Sequence, residues 1–140
     1  MYCTLDDIKE QIPADELISL TDDADAGIID TSVTDRAVAD ADAEIDGYCG
    51  KRYAVPFVTV PPVIRKLSVD IAIYNLFARR QGAPEDRKDR YKSAVKFLEN
   101  VARGLVSLGE DDPDSTPSDV QKPKISFSGR IYSRDKLAGW

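Results

Sequence analysis

PVIRKLSVDIAIYNLFARRQ, residues 62–81, decides the fold. Proline at its start suits the first turn of a helix, where no backbone N–H is needed. Ile64, Leu67, Ile71, Tyr74 and Ala78 then recur at steps of three and four, so they lie on one stripe. Ile73, Leu76 and Phe77 fall off that stripe, and the helix is apolar around much of its circumference. A helix of that kind belongs in the centre of a bundle, with part of its surface available to a neighbour.

The flanking sequence surrounds this element with further helices. Residues 51–62 carry Pro56, Pro61 and Pro62 among β-branched and aromatic residues, which predicts an extended connection wrapped on the core. Before it, residues 31–48 place Val38, Ala41, Ile45 and Tyr48 on one face of a helix closed by Gly47 and Gly50, and leave the other face rich in aspartate. Thr4 reads as an N-cap, with Asp6 and Asp7 at the positive end of a short helix running to about Ile12. Pro13 interrupts it, and residues 15–20 make another turn or two before the 22–27 loop. Downstream, Gly82 and Ala83 make a break. Pro84, Glu85 and Asp86 start a helix carrying Tyr91, Ala94, Val95, Leu98 and Ala102 on one side, ended by Gly104.

The expected fold is therefore all-α, a small bundle of four to five helices over residues 1–109 with an extended proline-rich connection. Residues 110–124, rich in aspartate, serine and proline, are expected to be a flexible acidic linker. Residues 125–140 regain Ile125, Phe127, Ile131, Tyr132, Leu137 and Trp140, too few to fold alone, and read as a flexible C-terminal arm that docks on something else. Trp140 either tucks onto its own domain or anchors in a partner pocket, and the polar linker favours the partner.

With 140 residues, 42% of them hydrophobic and 31% charged, the chain has enough apolar content for one core. No uncharged run is long enough to span a membrane, and the start reaches Asp6 and Asp7 without the basic and apolar regions of a secretory signal. Cys3 and Cys49 lack the spacing of a zinc site and are expected to be reduced and partly buried, a bridge between them being the alternative. The absence of histidine removes the commonest general base and the commonest transition-metal ligand. A net charge of −6 argues against affinity based on nucleic-acid phosphates.

That total hides an asymmetry. Residues 1–50 hold fourteen acidic and two basic side chains, a net −12, whereas residues 51–109 hold twelve basic and five acidic, a net +7. The acidic loop Asp22, Asp23, Asp25, Gly27 invites calcium, but with Gly27 as the sixth position alanines stand at ligand positions and Val33 replaces the bidentate glutamate. Asp35, Asp40, Asp42 and Asp46 read as a polar helix face, since no phosphate loop, nucleophile turn or lysine nucleophile accompanies them. No catalytic residue, metal ligand or cofactor is expected. Arg79, Arg80, Arg87, Lys88, Arg90 and Lys92 cluster at the junction of the last two long helices. Copies of the chain could pair acidic face to basic face, a heterologous contact that closes as a ring or continues as a filament.

Four segments, YCTLDDIKEQIPADELISLTDD (2–23), ADADAEIDGYCGKRYAVPF (39–57), VPPVIRKLSVDIAIYNL (60–76) and GRIYSRDKLAGW (129–140), together resemble the bacteriophage Mu gp36-like proteins of tailed phages and prophages. The resemblance spans most of the chain and carries no active-site residue. It implies a helical head-tail connector or head-completion adaptor in the virion, present in the host cytoplasm during assembly. Such a subunit oligomerises as a ring beneath the portal protein, meets a tail-completion or stopper protein, lets DNA pass and touches no membrane. In that setting Arg79, Arg80, Arg87, Arg90, Ile131, Tyr132, Leu137 and Trp140 are the expected subunit or portal contacts. Asp40, Asp42 and Asp46 are candidates for a pore lining that would repel DNA phosphates. The alternative is an acidic DNA mimic that inhibits a host nucleic-acid enzyme, against which the basic second segment speaks.

Overall fold

A capping box starts the chain's first helix. Thr4 accepts the Asp7 N–H through Oγ1 at 3.3 Å, while the Asp7 carboxylate takes the Thr4 N–H at 2.9 Å. The helix, α1, spans Leu5–Lys9, shorter than the expected run to Ile12, but turn hydrogen bonds from Gln11 and Ile12 to the Ile8 carbonyl carry the chain on and bury Ile12. The computed structural model describes residues 1–80 and 82–109. Among these, α2 (Ala14–Thr21), α3 (Thr31–Cys49), α4 (Pro62–Ala78) and α5 (Glu85–Ala102) complete an all-helical fold. The expected linker and arm, residues 110–140, lie outside the described residues.

Helix α4 is central, as its two apolar stripes require. Ile64, Leu67, Ile71, Ala72, Ile73, Leu76 and Phe77 are buried, and α4 packs against all four other helices. The far end of the first stripe departs from expectation: Tyr74 is half-buried and Ala78 exposed. Helix α4 also stops three residues before Gln81, because Gly82 at φ +80° returns its N–H to the Phe77 carbonyl, which ends the helix. Across α4, α3 contributes Val38, Ala41, Ile45 and Cys49, and α5 contributes Ala94, Leu98 and Val101. Val101 takes the place expected for Ala102. Gly47 lies inside α3 rather than closing it, and the helix runs on to Cys49.

Both cysteines are free and fully buried, deeper than expected, and burial pushes the Cys49 thiol up to about 11. The extended connection 51–61 folds back on the bundle through Tyr53, which is buried and accepts the Leu108 N–H at 3.0 Å. Gly104 reverses the chain after α5 at φ +81°, and the Arg52 guanidinium stands 3.0 Å from where a side-chain carbon would begin there. That contact joins the C-terminal ends of α3 and α5. No helix among the described residues is long and apolar enough to cross a membrane.

Candidate functional site

Polar side chains that link the acidic first part to the basic second part gather in three places. The first is a clasp made by the N-terminal residues. Tyr2 is buried with its ring 5.7 Å from that of Phe57, and its hydroxyl donates to Asp46 while accepting the Phe57 N–H at 3.1 Å. Its backbone N–H goes to Asp42 at 3.1 Å, and Ser68, buried on α4, donates to the same carboxylate at 3.0 Å. Burial raises the Asp42 pKa above the usual carboxylate value, with the Ser68 and Tyr2 hydrogen bonds opposing. The Tyr2 phenol is raised for the same first reason, burial, reinforced by its bond to Asp46.

The second place joins the α2–α3 loop to the end of α4. Arg79 Nη2 and Arg80 Nη1 each reach the Asp23 carboxylate at 2.6 Å, and Arg79 Nη1 also caps the Leu20 carbonyl at 2.9 Å. The bond from Arg79 holds the Asp23 carboxyl below its ordinary value. The loop closes on itself as well: Asp22 accepts the N–H groups of Ala26 and Gly27 at 2.9 and 2.7 Å, and buried Thr21 accepts the Asp30 N–H at 3.1 Å. The Asp22 and Asp23 carboxylates are thus occupied by backbone and arginine. No group of three or more metal-ligating side chains occurs among the described residues.

The third place lies between α1 and α5 over α4. Arg87 donates to the Gln11 carbonyl at 3.2 Å, and Arg90 reaches the Gln11 amide oxygen at 3.4 Å. Beneath them Asp70 is buried on α4, with Lys66 Nζ at 3.2 Å and Arg90 Nη1 at 3.9 Å. Beside this cluster a groove of about 560 Å³ opens between α4 and α5, floored by Val63, Leu67, Ala94 and Phe97 and edged by Lys66, Asp89, Arg90 and Ser93.

All four arginines expected as contacts therefore have partners inside their own chain. The charge split expected to join copies is met in part within one molecule, because folding brings the 22–30 loop onto the end of α4. The three aspartates expected to share a lining do not share one face. Asp40 and Asp42 are two residues apart, about 200° around a helix. Asp40 is exposed beside the cleft formed with Asp23, Arg36 and Arg79, whereas Asp42 and Asp46 hold the N-terminal clasp. Ile131, Tyr132, Leu137 and Trp140 lie outside the described residues. Tyr2, Gln11 and Asp70 were missed. Only the aspartate within an apolar run at 67–73 signalled anything, since a carboxylate there must find cations when it is buried.

The sequence that builds these tethers and this groove matches a known family. The description "Bacteriophage Mu, Gp36" covers residues 2–126. The chain belongs to the bacteriophage Mu Gp36 family. A Haemophilus influenzae relative, "Mu-like prophage FluMu protein gp36", is 32% identical over 116 residues, which cover 83% of this chain and 81% of the relative. "Gene product J" of Escherichia phage Mu is 27% identical over 135 residues, 95% of this chain and 94% of the phage protein. The Gp36 match takes in the whole helical body, so the Tyr2 clasp, the arginine tethers and the α4–α5 groove all lie within the family region.

Proposed function

We propose that this Gp36-family chain is a structural subunit of a phage or prophage particle, a head-tail connector or head-completion adaptor that assembles as a ring beneath the portal protein. The observation that carries the reading is family membership across nearly the whole chain, with phage and prophage relatives matched over most of their lengths. The organisation of the body supports it. Polar side chains fix its elements to one another, while the exposed Val58 and Leu105 are left for other chains. Its partners in this role are copies of itself, the portal protein and a tail-completion or stopper protein, with DNA passing and not held. The place of action is the head-tail junction of the virion, reached from the host cytoplasm during assembly.

A DNA mimic needs free carboxylates spaced like phosphates, and Asp22, Asp23, Asp42 and Asp46 are engaged in internal bonds. That favours the connector over the mimic. Asp40 is the carboxylate of the three whose charge can be reversed without touching the clasp. If it faces the DNA path, Asp40→Lys should slow DNA release from filled heads while leaving folding intact; unchanged release would remove Asp40 from that path. The role itself is tested by purifying particles from cells expressing a tagged chain. The connector reading requires the chain in tailed particles and in headful intermediates bearing portal. Its absence from both, together with inhibition of a host nuclease, would establish the alternative.

A further inference from the structure

The α4–α5 groove has a shape that the fold does not fill. Val63, Lys66, Leu67 and Asp70 on α4 face Arg90, Ser93, Ala94 and Phe97 on α5, both sets at spacings of three and four, so the groove runs along two antiparallel helices. Alanine at 94 keeps its floor low, serine at 93 keeps its edge low, and Phe97 stays partly exposed along it. Its mouth, at Val63 and Phe97, lies where α4 begins and α5 approaches its end. The described chain stops at that same end of the bundle, since Leu108 hydrogen-bonds Tyr53 just before Gly109.

From the length and composition of the chain beyond Gly109, we infer that the groove is the seat of residues 125–128 of the same molecule. This segment, Ile125-Ser126-Phe127-Ser128, is the first to bring two large apolar side chains after Gly109. The fifteen residues 110–124 can span at most about 50 Å, whereas the eight residues from Asp89 to Phe97 cover about 12 Å of helix. Tethered at that distance, the segment meets its own groove at an effective concentration in the millimolar range, which free copies in dilute solution do not match. Charge points the same way. The acidic residues Glu110, Asp111, Asp112 and Asp114 would pass the end of the bundle that carries Lys51, Arg52 and Arg103, and Lys124 would arrive beside Asp89. The chain thus holds its own arm while free, and the arm must leave the groove before it can engage another chain. This inference does not depend on the proposed connector role.

A pair of introduced cysteines tests it in the full-length protein, where native Cys3 and Cys49 are buried. Ser93→Cys with Ser126→Cys should close a disulfide within one chain under mild oxidation, at least about tenfold faster than Ser19→Cys with Ser126→Cys, whose first site lies on α2 away from the groove. Adding Ile125→Asp and Phe127→Asp, which lie outside the described residues, should bring the rate down to that of the Ser19 pair. A cross-link that appears only between chains would overturn the inference in favour of a second copy. Equal rates at Ser93 and Ser19, or a rate untouched by the two aspartates, would overturn it outright.

Discussion

Tyr2→Phe removes one oxygen atom and should unfasten the N-terminal clasp. The hydroxyl has two partners, the Asp46 carboxylate that it donates to and the Phe57 N–H that it accepts at 3.1 Å. Loss of the neutral bond costs about 1 kcal/mol and loss of a bond to a charged group about 1.5–3 kcal/mol. Asp46 is only half-buried, so water can re-engage its carboxylate and the second figure falls to the low end. The ring contact with Phe57, at 5.7 Å between centroids, survives in the variant. The net expectation is about 2.5 kcal/mol, which for a domain of this size lowers Tm by roughly 10 °C. Thermal and urea unfolding followed by far-UV circular dichroism would measure it. Asp46→Asn, which keeps an acceptor for the phenol, should cost less, and the double variant should show a coupling of about 1 kcal/mol between the two positions. A Tyr2→Phe protein that melts within a degree or two of the parent would refute the reasoning, because the clasp would then contribute nothing beyond its ring.

Other expectations follow from the same contacts. Leu98→Ala, at a fully buried α5 position, should cost about 2–5 kcal/mol in urea unfolding. Arg79→Ala should destabilise more than Arg80→Ala, since Arg79 caps the Leu20 carbonyl at 2.9 Å whereas Arg80 reaches the Asp22 carbonyl only at 3.4 Å; equal midpoints would show that the shorter cap adds nothing. The Asp42 pKa is raised in the folded state, so the native protein takes up that proton first. Stability held by this group should rise as pH falls from neutral through its folded pKa toward the unfolded value near 3.8, and Asp42→Asn should lose that trend. Asp23 has the opposite sign: its folded pKa is lowered, and its contribution should fade as pH drops below about 4, which comparison with Asp23→Asn in acid titrations would reveal. Cys3 and Cys49 should resist a thiol reagent at pH 8 and react fully in guanidinium, because both are buried and burial raises both thiols.

The helices were legible because periodicity survives in single sequences. The two stripes of residues 62–78 announced a central helix, and Thr4, Pro62 and Gly104 marked boundaries that capping chemistry enforces. Boundaries set by longer contacts were less visible. The end of α4 at Ala78 depends on where Gly82 sends its N–H, and Asp30, three residues beyond a loop that read simply as acidic, caps α3 by accepting the Ser32 N–H. The site was legible by composition and not by pairing. A net +7 segment next to a net −12 segment suggested attraction, but only the fold decides that Asp23 meets Arg79 and Arg80 within one chain. Tyr2 carried no signal, because its partners lie 40 to 55 residues away and a tyrosine near a terminus is ordinarily a surface residue.

Mixing the purified chain with the portal protein of its own phage or prophage tests the central claim most directly, with complex mass read by light scattering and shape by negative-stain imaging. The account predicts a ring of this chain seated on the portal, formed by the full-length protein even if it is monomeric when alone. A chain that stays unassembled and never binds the portal, at concentrations where its helical fold is intact, would contradict it.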